Sequence, residues 1–165
     1  MPQITDPRQL FTHKLGAALT MEQTVLTMLQ ELEQTATQDK LKEQFSHHRE
    51  ETEQQVRNLQ QVFDALGTQP QTQPCPTIEG LHEESKTMIA QTSPQLVDSV
   101  LLGGAAETEH HEIAVYEGLI TKADAMGEDD IVALLTENLE QEQHTLKEVQ
   151  KETQKQAKEL AKQTA

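Results

Sequence analysis

Four long stretches of this chain place apolar residues three and four positions apart, the spacing that lines one face of an α-helix. The composition favours the same structure, because Glu, Gln, Leu, Ala and Lys are abundant, Trp is absent and Tyr occurs once. We therefore predict an all-α fold. A chain of 165 residues suits one domain better than two, so residues 1–165 are predicted to form a single domain.

Capping residues and turn residues set the helix bounds. Asp6 and Pro7 suit the start of the first helix, Thr37 suits the cap of the second, and Gly67 and Gly127 suit helix ends. Apolar spacing fades after about residue 150, and the last dozen residues are predicted to form a solvated, fraying helical tail. The predicted helices span approximately residues 7–34, 38–66, 77–90, 94–126 and 129–160.

The segment between the second and fourth of these helices interrupts the long-helix pattern. Pro70, Pro74 and Pro76 lie in a Gln- and Thr-rich stretch, and the short third helix follows them. Two helical hairpins joined by one long crossover form the connectivity of ferritin-like bundles. The sequence therefore predicts a ferritin-like four-helix bundle with a short extra helix in the crossover.

Charge and cysteine content exclude several classes of function. The chain has 13 Lys and Arg against 28 Asp and Glu, a net charge of −15, which disfavours nucleic acid and anionic membrane surfaces as partners. Cys75 is the single cysteine, so no disulfide framework or thiolate zinc site is expected. With no long apolar run and no export signal in view, we expect a cytoplasmic protein.

Metal-binding side chains interrupt the apolar face of every long helix. Each occupies a position where the helical spacing calls for an apolar residue, or lies one turn away from such a position. The interruptions are Glu22 in the first helix, His48 with Glu51 or Thr52 in the second, Glu109 and Glu112 in the fourth, and Glu142 in the fifth. Taken singly, each glutamate could instead extend to solvent, and His48 could be a buried hydrogen-bonded histidine.

Counting from the hairpin turns places these residues at similar heights. Glu22 and Glu51 lie about 14 residues either side of the first turn. Glu112 and Glu142 lie about 15 residues either side of Gly127. Carboxylates buried together need a compensating cation, and glutamate oxygens with an imidazole suit iron or manganese. The sequence thus predicts two bound metal ions, iron or alternatively manganese.

Several segments resemble the YciE/YciF group of ferritin-like proteins, a family of largely unknown function. They include HHREETEQQV at 47–56, VFDALGTQP at 62–70, ETEHHEIAVYEGL at 107–119 and LLTENLEQE at 134–142. The resemblance implies a ferritin-like bundle, often dimeric and stress-associated in bacteria, with a di-iron centre. The ligands it implies are the same six residues, Glu22, His48, Glu51, Glu109, Glu112 and Glu142.

Two departures from the ferritin and rubrerythrin pattern leave the function open. The second helix has His48-x-x-Glu51 in reversed order, and Thr145 stands where a second histidine is expected. One hypothesis is oxidase or peroxidase chemistry in stress protection, with Glu51 and Glu142 bridging the metals and an external electron donor. The alternative is a non-catalytic stress or scaffold bundle with a structural or vestigial metal site. A homodimer is expected in either case.

Overall fold

The computed structural model describes residues 3–163, which form five helices and no strands. The helices are α1 (Pro7–Thr35), α2 (Asp39–Ala65), α3 (Pro76–Gln91), α4 (Val97–Ala125) and α5 (Asp129–Gln163). The hairpins α1–α2 and α4–α5 pack side by side, with α2 beside α5 and α1 beside α4, and α3 covers α4 and α1. The predicted all-helical bundle with one crossover carrying a short helix is confirmed. Within residues 3–163, no helix is both long and apolar enough to cross a membrane.

The helix ends show which capping predictions were correct. The Asp6 side chain accepts a hydrogen bond from the backbone N–H of Arg8 at 2.8 Å, as an N-cap does. Gly67 and Gly127 follow the ends of α2 and α4 with φ of 69° and 71°, a left-handed conformation that favours glycine.

Thr37 does not cap α2, contrary to the prediction. Gln38 occupies the N-cap position, and Thr37 instead donates to the buried Asp98 at the start of α4, through its backbone N–H at 2.8 Å and its hydroxyl at 2.5 Å. The α1–α2 turn is therefore fixed to the opposite hairpin. Helix α4 also begins at Val97 rather than near residue 94, because a turn closed by the Leu96 N–H and the Ser93 carbonyl precedes it.

Helix α5 runs to Gln163, and polar contacts continue to anchor it beyond residue 150. Glu152 is 4% exposed and pairs with Lys40 of α2. The Ser99 hydroxyl donates to the side-chain oxygen of the buried Gln156 at 2.8 Å. Residues 157–162 are helical and mostly exposed, in agreement with the predicted solvated helical tail.

The crossover passes directly over α1 at Gly16. The backbone N–H of Gln73 donates to the Gly16 carbonyl at 3.0 Å, and a Cβ at Gly16 would lie 2.5 Å from the Gln71 carbonyl oxygen. Only glycine permits this close approach, so Gly16 fixes the path of the crossover toward α3.

Candidate metal centre

Four metal-binding side chains meet in the interior of the bundle. One ligand atom from each of His48, Glu109, Glu112 and Glu142 lies within 4.8 Å of every other. All four residues are buried, with exposures of 4% or less. Three helices thus direct their inward faces to one point, as the interruptions of the apolar spacing predicted.

His48 presents one ring nitrogen to the cluster and the other to the outside. Its Nε2 lies 3.0 Å from Glu109 Oε1 and 3.8 Å from Glu142 Oε2. Its Nδ1 lies 3.3 Å from Thr145 Oγ1 and 3.5 Å from Glu51 Oε2. A metal-binding histidine commonly uses one nitrogen for the ion and the other for a polar partner, and His48 is oriented for that division.

Glu51 lies outside the buried cluster. Its side chain is 20% exposed, between His47 and the Nδ1 side of His48. The next residue, Thr52, is fully buried and donates its hydroxyl to the His48 carbonyl at 2.9 Å. The sequence left Glu51 and Thr52 open as the inward residue, and the structure turns Thr52 inward. The bridging position expected for Glu51 is therefore not supported by its placement.

Glu22 joins the cluster from α1. It is fully buried and its Oε1 accepts a hydrogen bond from the Tyr116 hydroxyl, while its carboxyl also contacts that of Glu112. Asn138 donates to the Tyr116 hydroxyl at 3.0 Å and accepts from Asn58 at 2.8 Å. A string of buried polar side chains therefore leads from α2 through α5 and α4 to Glu22.

Many polar atoms of the cluster lack a hydrogen-bond partner among the described residues. Buried carboxylate oxygens are normally satisfied, and each orphan costs free energy unless something else binds it. Around the cluster the orphaned atoms are Glu22 Oε2, His48 Nε2, Glu109 Oε2, and both carboxylate oxygens of Glu112 and of Glu142. Oxygen atoms with one imidazole nitrogen form a donor set that suits iron or manganese. The residues present therefore fit the metal ions that the sequence predicted.

The carboxyl groups resist ionisation when the cluster holds no cation. Burial raises the pKa of Glu22 from 4.5 to about 7, even though the hydrogen bond from Tyr116 acts to lower it. Burial, followed by repulsion from neighbouring carboxylates, raises the pKa values of Glu112 and Glu142 well above their usual range. The site thus favours either protons or bound cations.

The same negative charges raise the pKa of His48 and so favour its protonated, charged form. Burial acts to lower the pKa of its imidazole, but the carboxylates of Glu109, Glu51 and Glu142 outweigh burial and raise that pKa well above 6.5. A proton on His48 therefore offsets part of the negative charge of these carboxylates.

Sequence reasoning assigned no role in the site to two buried polar residues, Asn138 on α5 and Gln55 on α2. Asn138 is fully buried on α5, although the apolar spacing assigned that face to the neighbouring Leu139. Gln55 is also fully buried, and neither of its side-chain polar atoms has a hydrogen-bond partner within residues 3–163. The three- and four-residue steps from Leu135 through Asn138 to Glu142 were the available signal.

Comparison with known proteins places the chain among relatives with the same fold. YcfI from Rhodopseudomonas palustris, a protein thought to be structural, superimposes with a TM-score of 0.87 at 33% identity, covering 90% of this chain and 95% of that one. The crystal structure of the Escherichia coli stress protein YciF superimposes with a TM-score of 0.88 at 26% identity, covering 94% of this chain and 99% of that one.

Sequence comparison gives the same grouping. YciF of Escherichia coli strain K12 is 33% identical over 138 residues, which are 82% of this chain and 83% of YciF. A family model described as a domain of unknown function, DUF892, matches residues 6–162. The resemblance to the YciE/YciF group is thereby confirmed, and the chain belongs to the DUF892 family as a homologue of YciF.

Proposed function

We propose that this protein is a ferritin-like di-metal carboxylate protein that binds two iron or manganese ions and acts on O₂ or peroxide during stress. The observation that carries the proposal is the buried group of His48, Glu109, Glu112 and Glu142, whose unpartnered oxygens and Nε2 converge from three helices. Uncompensated burial of so many carboxylates would cost several kcal/mol per charge, so a cation is the natural occupant.

The positions of the side chains suggest a role for each one. Glu112 and Glu142 have both carboxylate oxygens free of hydrogen bonds among the described residues, so both are suited to bridging two ions. His48 and Glu109 lie 3.0 Å apart and would hold one ion. Glu22, whose second oxygen has no partner within the described part of the chain, would be a terminal ligand of the other.

Glu51 receives a different role from the one first expected. Because its carboxylate lies beside Nδ1 of His48, it would fix the orientation of the imidazole instead of binding metal. The Thr145 hydroxyl oxygen lies 3.3 Å from the same nitrogen and would contribute to that orientation. The reversed His48-x-x-Glu51 order then has a simple explanation, since the glutamate supports the histidine.

When bound, two such ions would supply the two electrons needed to reduce an oxidant. The chain's own residues bury the site, orient the ligands, and leave Glu22 and Tyr116 hydrogen-bonded at its edge. Restoring the reduced state requires an external electron donor. The description of the homologue YciF as a stress protein supports a protective role.

A second candidate function is a structural bundle whose metal site stabilises the fold without turnover. The observation in its favour is the description of the relative YcfI as structural, together with the single imidazole of the cluster. Both candidates require metal binding, so only a measurement of turnover separates them.

Aerobic oxidation of added Fe(II), followed by near-ultraviolet absorbance, tests the proposal. The double substitution Glu112→Gln with Glu142→Gln removes two central carboxylates. The control is Glu107→Gln with Glu140→Gln, which makes the same charge change at exposed positions of the same two helices. We expect fast oxidation in the unaltered chain and the control, and only the background rate in the cluster variant. Equal rates in all three would eliminate the catalytic function.

We also propose that the chain forms a homodimer, as the family resemblance implies. Among residues 3–163, four large apolar side chains are 39 to 46% exposed, namely Ile4, Leu10, Met88 and Leu96. Light scattering tests this proposal, with a mass of two chains expected and a mass of one chain contradicting it.

A further inference from the structure

A pocket of about 210 Å³ leads from the surface between α2 and α5 to the metal-binding cluster. His47 and Glu148 line its outer part, with side chains 71% and 44% exposed. His48 and Glu109 line its inner end and are buried. The pocket therefore connects solvent with His48 and Glu109 at the edge of the cluster.

The walls of this pocket are mainly apolar. They include Leu29, Leu41, Phe45, Leu102, Ala105 and Val149, and Gln44 and Thr145 add polar atoms. An engineered apolar cavity of about 150 Å³ stays dry and binds benzene, so a pocket of 210 Å³ has room for one aromatic ring with a few added atoms. O₂ or hydrogen peroxide alone would need far less apolar surface.

The polar groups of the pocket limit the charge of its occupant. Three glutamates (Glu51, Glu109 and Glu148) and three histidines line it, and the whole chain carries a net charge of −15, so anions such as fatty acids are disfavoured. At the inner end, His48 and Glu109 give a neutral polar head something to contact. The features together select a small neutral molecule with an apolar body and one polar end.

We propose that this pocket binds small organic hydroperoxides as the oxidising substrate, with the apolar body between Leu41, Phe45 and Ala105 and the peroxide group beside His48. This inference rests on the proposed function. Reduction of such a hydroperoxide breaks its O–O bond, consumes two electrons and two protons, and yields one alcohol and one water. The electrons are those supplied by two ferrous ions, which become ferric, and the protons come from solvent.

Binding to the metal-free chain tests the pocket independently of turnover. The probe is 2-phenyl-2-propanol, the alcohol product of cumene hydroperoxide, followed by ¹H–¹⁵N NMR titration. We expect saturable binding with a dissociation constant on the order of 1 mM, and shifts centred on His48, Ala105 and Val149. Absence of saturable binding, or shifts elsewhere, overturns the inference while leaving the metal proposal intact.

A pocket-filling substitution makes the test specific. Ala105→Phe places a ring inside the pocket, and Ala114→Phe makes the same change at an exposed position of the same helix. Ala105→Phe should weaken binding of the alcohol at least about tenfold, whereas Ala114→Phe should leave it unchanged. If Ala105→Phe does not fold, the smaller Ala105→Leu carries the test. Unchanged binding in a folded pocket variant overturns the inference.

Rates of hydroperoxide reduction then test the role of the pocket separately from metal binding. With Fe(II) bound, Ala105→Phe should slow reaction with cumene hydroperoxide at least about tenfold, whereas the exposed variant Ala114→Phe should react at the rate of the unaltered chain. Equal rates in Ala105→Phe and Ala114→Phe would contradict a role for the pocket in substrate choice. Failure of the unaltered chain to bind iron would instead reject the proposed function, and the alcohol titration would still report on the pocket.

Discussion

The Tyr116 hydroxyl donates a hydrogen bond to Glu22 Oε1 across the interior of the bundle, joining α4 to α1 at the edge of the carboxylate cluster. The donors behind this bond all point the same way. Asn58 donates to Asn138 at 2.8 Å, and Asn138 donates to the Tyr116 hydroxyl at 3.0 Å. Glu22 of α1 is therefore the final acceptor in a series of buried hydrogen bonds whose donors lie on α2, α5 and α4.

Replacing Tyr116 with Phe should destabilise the metal-free chain by about 1–3 kcal/mol, because it removes one of the two acceptors of the Asn138 side-chain amide and the hydroxyl donor to Glu22 Oε1. The measurement is urea-induced unfolding followed by circular dichroism. Because Tyr116 is not a proposed ligand, the variant should still bind metal with unchanged stoichiometry. An unaltered free energy of unfolding would show that the bond contributes nothing, and loss of metal would assign Tyr116 a ligand role.

The metal-free chain should lose stability as pH rises from about 4.5 to 7. Burial raises the Glu22 pKa from 4.5 to about 7, so the folded state binds this proton more tightly than the unfolded state. The stabilisation is complete below 4.5, is lost as pH rises through 7, and amounts to up to about 3 kcal/mol. The raised pKa of His48 acts in the same direction.

Unfolding of chelator-treated protein at pH 5 and pH 8 measures this dependence. Glu22→Gln, which has no proton to exchange, should show a smaller difference between the two pH values. A metal-free chain that is more stable at pH 8 would contradict the pKa directions on which this expectation rests.

Glu51→Gln should weaken metal binding about 10- to 100-fold without lowering the number of ions bound, because Glu51 supports His48 from the Nδ1 side. Glu112→Gln should lower the number itself. Competition against a chromogenic chelator gives the affinity, and elemental analysis gives the number. Loss of an ion in Glu51→Gln would restore the bridging role first expected of this residue.

Gly16→Ala should destabilise the fold, because its Cβ would lie 2.5 Å from the Gln71 carbonyl oxygen and force the crossover away from α1. Gly80→Ala is the matched control, since a Cβ there meets nothing within 4 Å and alanine favours a helix by about 1 kcal/mol. Thermal unfolding should therefore move in opposite directions for the two variants. A thermal midpoint for Gly16→Ala equal to or higher than that of the unaltered chain would show that the crossover can move away from α1 without loss of stability.

Helical spacing was sufficient to predict the bundle and most of the inward-facing charged residues. Glu22, Glu109, Glu112 and Glu142 each stand where an apolar residue belongs, so their burial follows from the periodicity of their own helices. The crossover was predictable as well, because its prolines interrupt the pattern and two hairpins need a long connection.

Sequence reasoning was least decisive where two residues satisfy the same periodicity. Steps of three and four from His48 lead to Glu51 and Thr52 alike, and only packing against the other helices turns Thr52 inward. Leu139 was named as an inward-facing residue because it is apolar, yet the neighbouring Asn138 is fully buried. Asn138 hydrogen-bonds to partners on α2 and α4. Such partners are distant in the sequence and leave no local signal.

The anchoring of α5 beyond residue 150 was missed for a related reason. The sequence there is rich in Lys, Gln and Glu, but Glu152 and Gln156 are held by Lys40 and Ser99 from other helices. Local composition does not reveal a tertiary polar contact. The same limit applied to Thr37, whose partner Asp98 lies in the opposite hairpin.

Anaerobic titration with Fe(II) or Mn(II), followed by removal of unbound ions and elemental analysis, tests the central claim most directly. The account predicts two ions per chain in the unaltered protein and in the exposed double variant Glu107→Gln with Glu140→Gln. It predicts fewer than one ion per chain in the cluster variant Glu112→Gln with Glu142→Gln. Retention of no metal by the unaltered chain, or equal retention by all three proteins, would contradict it.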